Sequence, residues 1–338
     1  MGPFDRLSAD ARSRLEVSPS PDWVPPMLAT LTDRYFSDPN WIFERKLDGE
    51  RCLAFRLDGK VRLLSRSQQH LNNTYPEIAD GLAHYASADL VVDGEVVAFE
   101  AGRTSFERLQ QRLGITNADD ARRSPVAVFY YIFDLLYLDG YSTTALRLRD
   151  RKTLLKGALQ YRDALRFTTH RNGSGEAYFQ FACAQGWEGL VAKRADSTYT
   201  SRRSPDWLKF KCSLGQEFVV GGYTEPAGSR VGLGALLVGY YEGGELVYAG
   251  KVGTGFNTAT LLSLRQQLEA LETDQQTFTR GRIAERGAHW VRPELVAEVV
   301  FSEWTADGKL RHPRFEGLRT DKAALEVRRE RPVGQRKA

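Results

Sequence analysis

The sequence predicts an α+β chain of two domains, a mixed domain over residues 1–213 followed by an OB-fold β-barrel over residues 214–338. Three observations lead there. The length, 338 residues, suits two domains at roughly 100–200 residues each. Up to Cys212, strand-like and helix-like segments alternate. Beyond it, short strands separated by Gly-rich turns and one amphipathic helix fill the rest of the chain, as in a small barrel.

In order along the chain, Trp41 to Arg45 reads as a strand leading into a turn at Gly49. Cys52 to Leu57 and Val61 to Leu64 flank Asp58-Gly59-Lys60, a hairpin signal. Leu90 to Val92 and Val96 to Phe99 are β-rich and bracket Asp93-Gly94-Glu95. Thr104 to Glu107 carries the capping-box spacing that opens a short helix. Val126 to Phe133 is an apolar, aromatic run and reads as a buried strand. Arg151 to Leu159 and Gly175 to Ala184 read as helices; Gly189 to Ala192 and Trp207 to Lys211 read as short strands. In the second domain, strands are expected at Glu217 to Val220, Ala235 to Tyr241, Leu246 to Ala249 and Leu295 to Phe301, with a helix near Thr258 to Leu271.

Composition sets the class. Hydrophobic residues make up 42% and charged residues 27%, ordinary for a soluble globular protein. No apolar run approaches the ~20 residues needed to span a bilayer, and the polar start, Met1 to Val17, does not read as a signal peptide. The cytoplasm, in association with the nucleoid, is the expected location, and a monomer the expected state. The cysteines Cys52, Cys183 and Cys212 are scattered and the histidines dispersed, so no zinc site is expected and the cysteines read as small buried or half-buried side chains. A net charge of +4 fits a protein that binds polyanions. The basic ending from Arg328 to Lys337 is either a solvated terminus or a contact to nucleic-acid phosphates.

The chemistry centres on Lys46-Leu47-Asp48-Gly49-Glu50-Arg51. A lysine attacks the α-phosphate of a nucleotide only as the neutral amine. Partial burial and nearby cations favour that form, and Arg51, Lys209, Lys211 and a bound Mg²⁺ are candidates for the field. Glu95 and Glu188 could hold the metal, which takes oxygen ligands. Read alone, the hexamer is also a polar hairpin with an Asp-Gly turn. Glu188 opens an apolar strand and could be an edge charge. Lys209 and Lys211 share one strand face, either around an anion or on a solvated edge. Phe133 could present its ring to a purine or belong to the core.

Together these segments resemble the covalent nucleotidyltransferases, specifically the ATP-dependent DNA ligases. Lys46 to Arg51 resembles the nucleophile motif and Ser65-Arg66-Ser67 the next. Asp93-Gly94-Glu95 resembles the acid pair, Phe129 to Asp134 the adenine-stacking motif, Glu188 to Lys193 the metal-acid motif and Trp207 to Lys211 the double-lysine motif. Arg311 to Phe315, with Asp321-Lys322, resembles the final motif on the OB domain. Val219 to Pro226, Ala249 to Phe256 and the Arg311 segment resemble the ligase module of bacterial DNA ligase D, which serves Ku-dependent repair of double-strand breaks. Fuller members also carry polymerase and 3′-phosphoesterase modules, for which this chain has no room, so a stand-alone relative or an isolated ligase portion is expected.

The resemblance implies a covalent nucleotidyltransferase domain of ATP-grasp-like ligase type before the OB-fold, and it implies roles. Lys46 would be the nucleophile that carries AMP, and Glu44 the adenine-reading acid. Arg51 and Glu95 would contact the ribose or the nick. Phe133 would stack on adenine. Asp93 and Glu188 would be partners of Mg²⁺ or Mn²⁺. Lys209 and Lys211 would contact the α-phosphate, and Arg66 would grip the nick phosphate. Arg311, Arg314 and Lys322 would orient the leaving pyrophosphate. The substrates would be ATP and nicked double-stranded DNA, with Ku and the end-joining polymerase and phosphoesterase modules as partners and no membrane. Because the motifs divide between the domains, closure for the first step and reopening to bind DNA are expected. The rival readings are an mRNA-capping guanylyltransferase or RNA ligase, disfavoured by Glu44 and the ligase-D-like OB segments, and a non-catalytic DNA-binding OB protein.

Overall fold

The computed structural model describes residues 2–285 and 287–332, so residues 333–337 of the basic ending lie outside the described residues. The chain divides into two compact units, Met1–Cys212 with Arg331–Ala338, and Ser213–Glu330.

The strands of the first unit that matter here are β1 (Leu28–Leu31), β2 (Trp41–Lys46), β3 (Glu50–Leu57), β4 (Lys60–Ser65), β5 (Leu90–Glu100), β6 (Val128–Leu138), β7 (Gly189–Arg194) and β8 (Arg203–Lys211). The helices are α1 (Pro76–Tyr85), α2 (Phe106–Leu113), α3 (Leu148–Ala158) and α4 (Gly175–Ala184). One sheet contains the order β6-β5-β3-β4; the other runs from the short strand His170–Asn172 through β2, β7 and β8 to β1.

Apolar alternation explains how the layers form. Cys52, Ala54, Val92, Val96, Tyr130 and Ile132 project from the first sheet onto Ile78 and Leu82 of α1, Leu109 of α2 and Leu154 and Leu155 of α3. Its other face supplies Leu53, Phe55, Val91 and Phe133, which pack with Met27, Tyr199 and Trp207 from the second sheet's side. The outer face of the second sheet buries Phe43, Leu190, Ala192 and Phe210 against Tyr178, Phe179 and Ala182 of α4. The residues between these apolar positions are left facing the first sheet.

Several expected details hold. Asp58 and Gly59 both take positive φ, 49° and 76°, as a two-residue type I′ hairpin between β3 and β4 requires. A helix, α2, does open after Thr104, but its cap is Ser105, one residue later than the capping-box spacing implied, accepting from the Arg108 N–H at 3.1 Å, while Thr104 Oγ1 accepts from the Asp48 N–H. Asp93-Gly94-Glu95, expected between two strands, instead lies inside the continuous β5, where the pairing with β6 shifts between Asp93 and Gly94. A Cβ at Gly94 would lie 2.5 Å from the Tyr130 ring, so this glycine permits close packing rather than a turn. The cysteines also differ from expectation: Cys183 and Cys212 form a disulfide, because α4 packs over the end of β8, and only Cys52 is free and buried.

The second unit is an OB-fold barrel. Its central strand β9 (Leu214–Thr224) pairs antiparallel with β10 (Leu236–Glu242), with β12 (Ala288–Val291) and with β13 (Val296–Phe301). β10 continues to β11 (Glu245–Val252), and β13 to β14 (Arg314–Leu318). A parallel bridge between Thr254 and Arg314 joins the chain after β11 to the start of β14. Helix α5 (Thr258–Glu269) sends Leu261, Leu264 and Leu268 into the barrel core, a three-to-four residue spacing that defines one helix face. β12 and β14 are absent from the sequence reading because short strands inside polar segments leave a weak alternation signal.

Candidate active site

The inner face of the second sheet collects the charged residues, and strand register explains how. Gly189 of β7 pairs with both Lys46 of β2 and Lys211 of β8, and Val191 pairs with both Glu44 and Lys209. Lys193 pairs with Ile42 and Trp207. Residues paired across neighbouring strands point to the same face. Lys46 and Lys211 therefore flank Gly189 in one row, about 10 Å apart at two strand spacings, with no side chain between them. Gly189 is irreplaceable on two grounds: its φ is +146°, and a Cβ there would lie 1.8 Å from the Phe210 carbonyl oxygen. Sequence reading passed over this glycine, whose absent side chain leaves a notch between two cations.

Lys46, about four-fifths buried, forms an ion pair with Oε1 of Glu188, the residue before Gly189. The other oxygen, Oε2, is buried without a hydrogen-bond partner among the described residues. Gly49 is also required: a Cβ there would lie 2.2 Å from the Val96 carbonyl oxygen. Asp48 fixes the same turn, accepting the Phe106 N–H at the start of α2 at 3.2 Å.

The first sheet supplies the facing groups. Arg51 grips Asp93 through Nε at 2.5 Å and through a second nitrogen at 2.6 Å, and also donates to the Met27 carbonyl at 3.1 Å. Its guanidinium lies 4.7 Å from the Phe133 ring centroid and 5.9 Å from that of Trp207, so it bridges the two sheets. Burial works against the Arg51 charge, but the Asp93 carboxylate overrides it and raises the pKa. Glu95, half-buried, pairs across β3 with Arg51. Arg66, also half-buried, follows Ser65, the partner of Cys52 at the same end of β3.

Three expectations change. Asp93 does not suit a metal: it is fully buried, its oxygens are taken by Arg51, and it also accepts the Tyr199 hydroxyl at 2.7 Å. Its geometry orients Arg51 instead. Glu44 stays on the inner face with Lys46, as a buried and ion-paired acid. It is 2% exposed and ion-paired through Oε1 with Lys152 of α3, and Lys193 Nζ lies 2.6 Å from Oε2. Burial alone would raise its pKa, but the two lysines override that and lower it. The same burial, with Lys152 adding to it, lowers the pKa of Lys193 against the opposing pull of Glu44. Lys152 stands in no motif read from the sequence. Phe133, 8% exposed, is a core residue whose ring already carries Arg51 and the Lys193 ammonium, the latter at 4.1 Å.

Lys322 is the third. In the OB unit its ammonium meets Glu217 at 2.8 Å and its side chain is 11% exposed, which fits a pin between strands rather than a pyrophosphate contact. Its neighbour Asp321 is held at 2.8 Å by two nitrogens of Arg319. Arg311 and Arg314, in contrast, are 59% and 60% exposed, each beside one glutamate, Glu303 and Glu316. Of the basic ending, Arg328 donates to the carbonyls of Leu325 and Val327, and Arg329 stacks 4.1 Å from the Trp304 ring.

No group of three or more acids, histidines or cysteines among the described residues forms a metal cage. One unpartnered carboxylate oxygen beside the Gly189 notch still fits Mg²⁺ or Mn²⁺, since Mg²⁺ is commonly bound by one or two carboxylates together with substrate phosphates.

Comparison with known proteins meets this geometry. Residues 26–211 match the family described as ATP dependent DNA ligase domain, and residues 229–322 match ATP dependent DNA ligase C terminal region. The multifunctional non-homologous end joining protein LigD of Pseudomonas aeruginosa is 40% identical over 94% of this chain and 38% of that protein. The LigD of Mycobacterium tuberculosis is 39% identical over 91% of this chain and 40% of that protein. The chain thus spans about two-fifths of these curated relatives. A solved structure of mycobacterial DNA ligase D complexed with ATP and MES is similar with a TM-score of 0.65 and 37% identity, covering 91% of this chain and 98% of that one. These matches do not favour the capping or RNA-ligase reading.

Proposed function

Since this chain belongs to the ATP-dependent DNA ligase family, we propose that it seals 5′-phosphate/3′-hydroxyl nicks in duplex DNA through an AMP carried on Lys46. The observation that carries this reading is the row Lys46–Gly189–Lys211, two cations around a side-chain-free notch with Glu188 against the lysine.

In the first step, Lys46 Nζ attacks the α-phosphate of ATP. Attacking as the neutral amine, it forms an N–P bond while the bond to the bridging oxygen breaks; pyrophosphate leaves and the proton shed by the nitrogen passes to solvent. Glu188 Oε1 holds the amine on the inner face, and Lys211 and Lys209 neutralise the α-phosphate. Positioning and charge neutralisation account for most of such catalysis. A divalent ion held by Glu188 would supply further neutralisation of the phosphates. Arg51, fixed by Asp93 and the Met27 carbonyl, presents its face toward the ribose or nick together with Glu95. Arg66 takes the nick phosphate, and Arg311 and Arg314 orient the pyrophosphate. AMP then passes from Lys46 to the 5′-phosphate of the nick. The 3′-hydroxyl attacks that phosphate and displaces AMP.

The relatives named for non-homologous end joining support a role in that repair; Ku and end-joining polymerase and phosphoesterase modules are the partners we propose from the resemblance of the motifs to DNA ligase D. Work on DNA would bring it to the nucleoid; no helix among the described residues is long and apolar enough to cross a membrane. Incubation with α-labelled ATP and Mg²⁺, followed by denaturing electrophoresis, tests the reading. A label that survives denaturation and moves to nicked DNA is expected. No adduct with any nucleotide would leave the non-catalytic DNA-binding alternative.

A further inference from the structure

We propose that Lys152 is a specificity-determining positioning residue: it tethers the Glu44 carboxylate as a fixed acceptor on the nucleotide face and so selects a purine with an exocyclic amino group over one with an oxo group. The inference rests on the reading of Lys46 as the nucleotidyl carrier.

The geometry begins on β2. Glu44 and Lys46 are two residues apart on the same face, about 7 Å along the strand. A nucleotide joined to Lys46 through its phosphate extends over that face within reach of Glu44. What the base meets there is set by a residue outside the sheet. Lys152, 3% exposed, reaches in from α3, and its ammonium meets Glu44 Oε1, the Thr168 carbonyl at 3.0 Å and the Phe133 carbonyl at 3.5 Å. An ammonium has three donors, and here three acceptors are present. The lysine is thereby locked between α3, β2, β6 and the segment after residue 167. Lys193 approaches the other carboxylate oxygen from beneath the rings of Phe133 and Trp207, at 4.1 and 4.0 Å.

Two lysines on one buried carboxylate keep it ionised against a burial that alone would raise its pKa. An ionised carboxylate accepts hydrogen bonds and donates none, with capacity for about four in all. Adenine offers an amino donor; guanine offers an oxygen at the equivalent position and would set acceptor against acceptor. Removing Lys152 leaves a balanced Glu44–Lys193 pair, so the site stays neutralised while the carboxylate loses the contact that aims it. Lys152 also lines a cavity of about 440 Å³ with Ile42, Phe167 and His170, and methionine, unbranched and flexible, can fill most of the space of the lysine stem.

The test compares Lys152→Met, Lys152→Arg, Glu44→Gln and the double variant Lys152→Met/Glu44→Gln in lysyl-nucleotide formation from ATP and from GTP. Polar sites discriminate strongly by unpaired groups, so Lys152→Met is expected to raise KM for ATP by about tenfold and lower the ATP-over-GTP ratio by about tenfold or more. Sealing of pre-adenylylated nicks should fall by a clearly smaller factor, because that step does not choose between nucleotides. Lys152→Arg should recover most of the discrimination. In the Glu44→Gln background, Lys152→Met should add nothing further, as non-additivity within one network requires. A folded Lys152→Met with unchanged discrimination overturns the proposal, as does an equal loss in both steps. If Lys152→Met does not fold, Glu44→Gln decides: its amide can donate as well as accept, so unchanged ATP-over-GTP discrimination overturns the proposal. Absence of any adduct in the unaltered protein would instead overturn the reading of Lys46.

Discussion

The two units hold their candidate site cations in opposite ways. In the first unit, Lys46, Arg51, Lys152 and Lys193 each meet a carboxylate and are mostly buried, with Asp93 fully so. In the OB unit, Arg311 and Arg314 are more than half exposed. A buried ion pair is costly to break, by roughly 3–5 kcal/mol when one partner is removed, whereas an exposed pair contributes about 0–1 kcal/mol. The first arrangement fixes geometry before substrate arrives; the second leaves side chains free to meet a ligand. Substitutions in the first unit should therefore damage chemistry and structure together, and those in the second should separate the steps.

The largest effect is expected from Lys46→Ala. Lysyl-AMP should fall below detection, a loss of more than about 10³-fold for a covalent nucleophile, while sealing of pre-adenylylated nicks persists. Gel detection of the adduct with labelled ATP checks it; a normal adduct yield would remove Lys46 from its role and with it the contrast between the units.

Gly189→Ala comes next. A Cβ 1.8 Å from the Phe210 carbonyl oxygen at φ +146° forces β7 away from β8, so the row of Lys46 and Lys211 should lose its spacing. A loss of about 1–3 kcal/mol in stability and about a hundredfold in lysyl-AMP formation is expected. A denaturant midpoint and adduct formation with full stability and rate would show that the notch is not needed.

Arg311→Ala with Arg314→Ala sharpens the contrast from the other side. Clamps on a transferring phosphoryl group act through electrostatic stabilisation, so adduct formation should slow by on the order of 10²-fold. Stability should change by less than about 1 kcal/mol because both side chains are exposed. Single-turnover sealing of pre-adenylylated nicks should fall far less, since no pyrophosphate is left to orient. Equal losses in both steps would assign the two arginines to holding DNA.

The same contrast explains what the sequence could reveal. Side chains placed by strand alternation were legible: Lys209 and Lys211 on one face, and Lys46 two residues after Glu44. Residues whose role depends on distant partners were not. Asp93 reads as a free acid until Arg51 and Tyr199, 106 residues away along the chain, close on it. Lys152 looks like an ordinary polar position on α3, because nothing in a helical period shows that its tip crosses to β2, 108 residues away. Asp93-Gly94 carried a turn signal that pairing on both sides of β5 overrode. The final motif read as one group of cations. The barrel divides it into exposed arginines on β14 and its approach, and internal pins, Arg319–Asp321 and Lys322–Glu217.

Those pins give the smallest effect, and one that depends on pH. Burial would raise the Asp321 pKa, but Arg319 overrides it and holds the carboxylate below its ordinary value. A carboxylate whose folded pKa is depressed contributes stability that is fully present above its unfolded value, about 3.9 for Asp, and that is lost as pH falls through the folded value. Above about pH 5, Asp321→Asn should therefore melt below the unaltered chain, because it leaves Arg319 with a neutral partner in a half-closed site. As pH falls below the unfolded value of about 4 and on through the depressed folded value, the unaltered chain loses this contribution and the two melting temperatures should converge. Glu44 and other carboxylates also protonate in acid, but they do so in both proteins and cancel from the difference. A Tm gap that stays constant from pH 6 to pH 3 would mean that the Arg319–Asp321 contact acts through shape rather than charge. Internal charge would then cease to distinguish the pinned half of the motif from the exposed one.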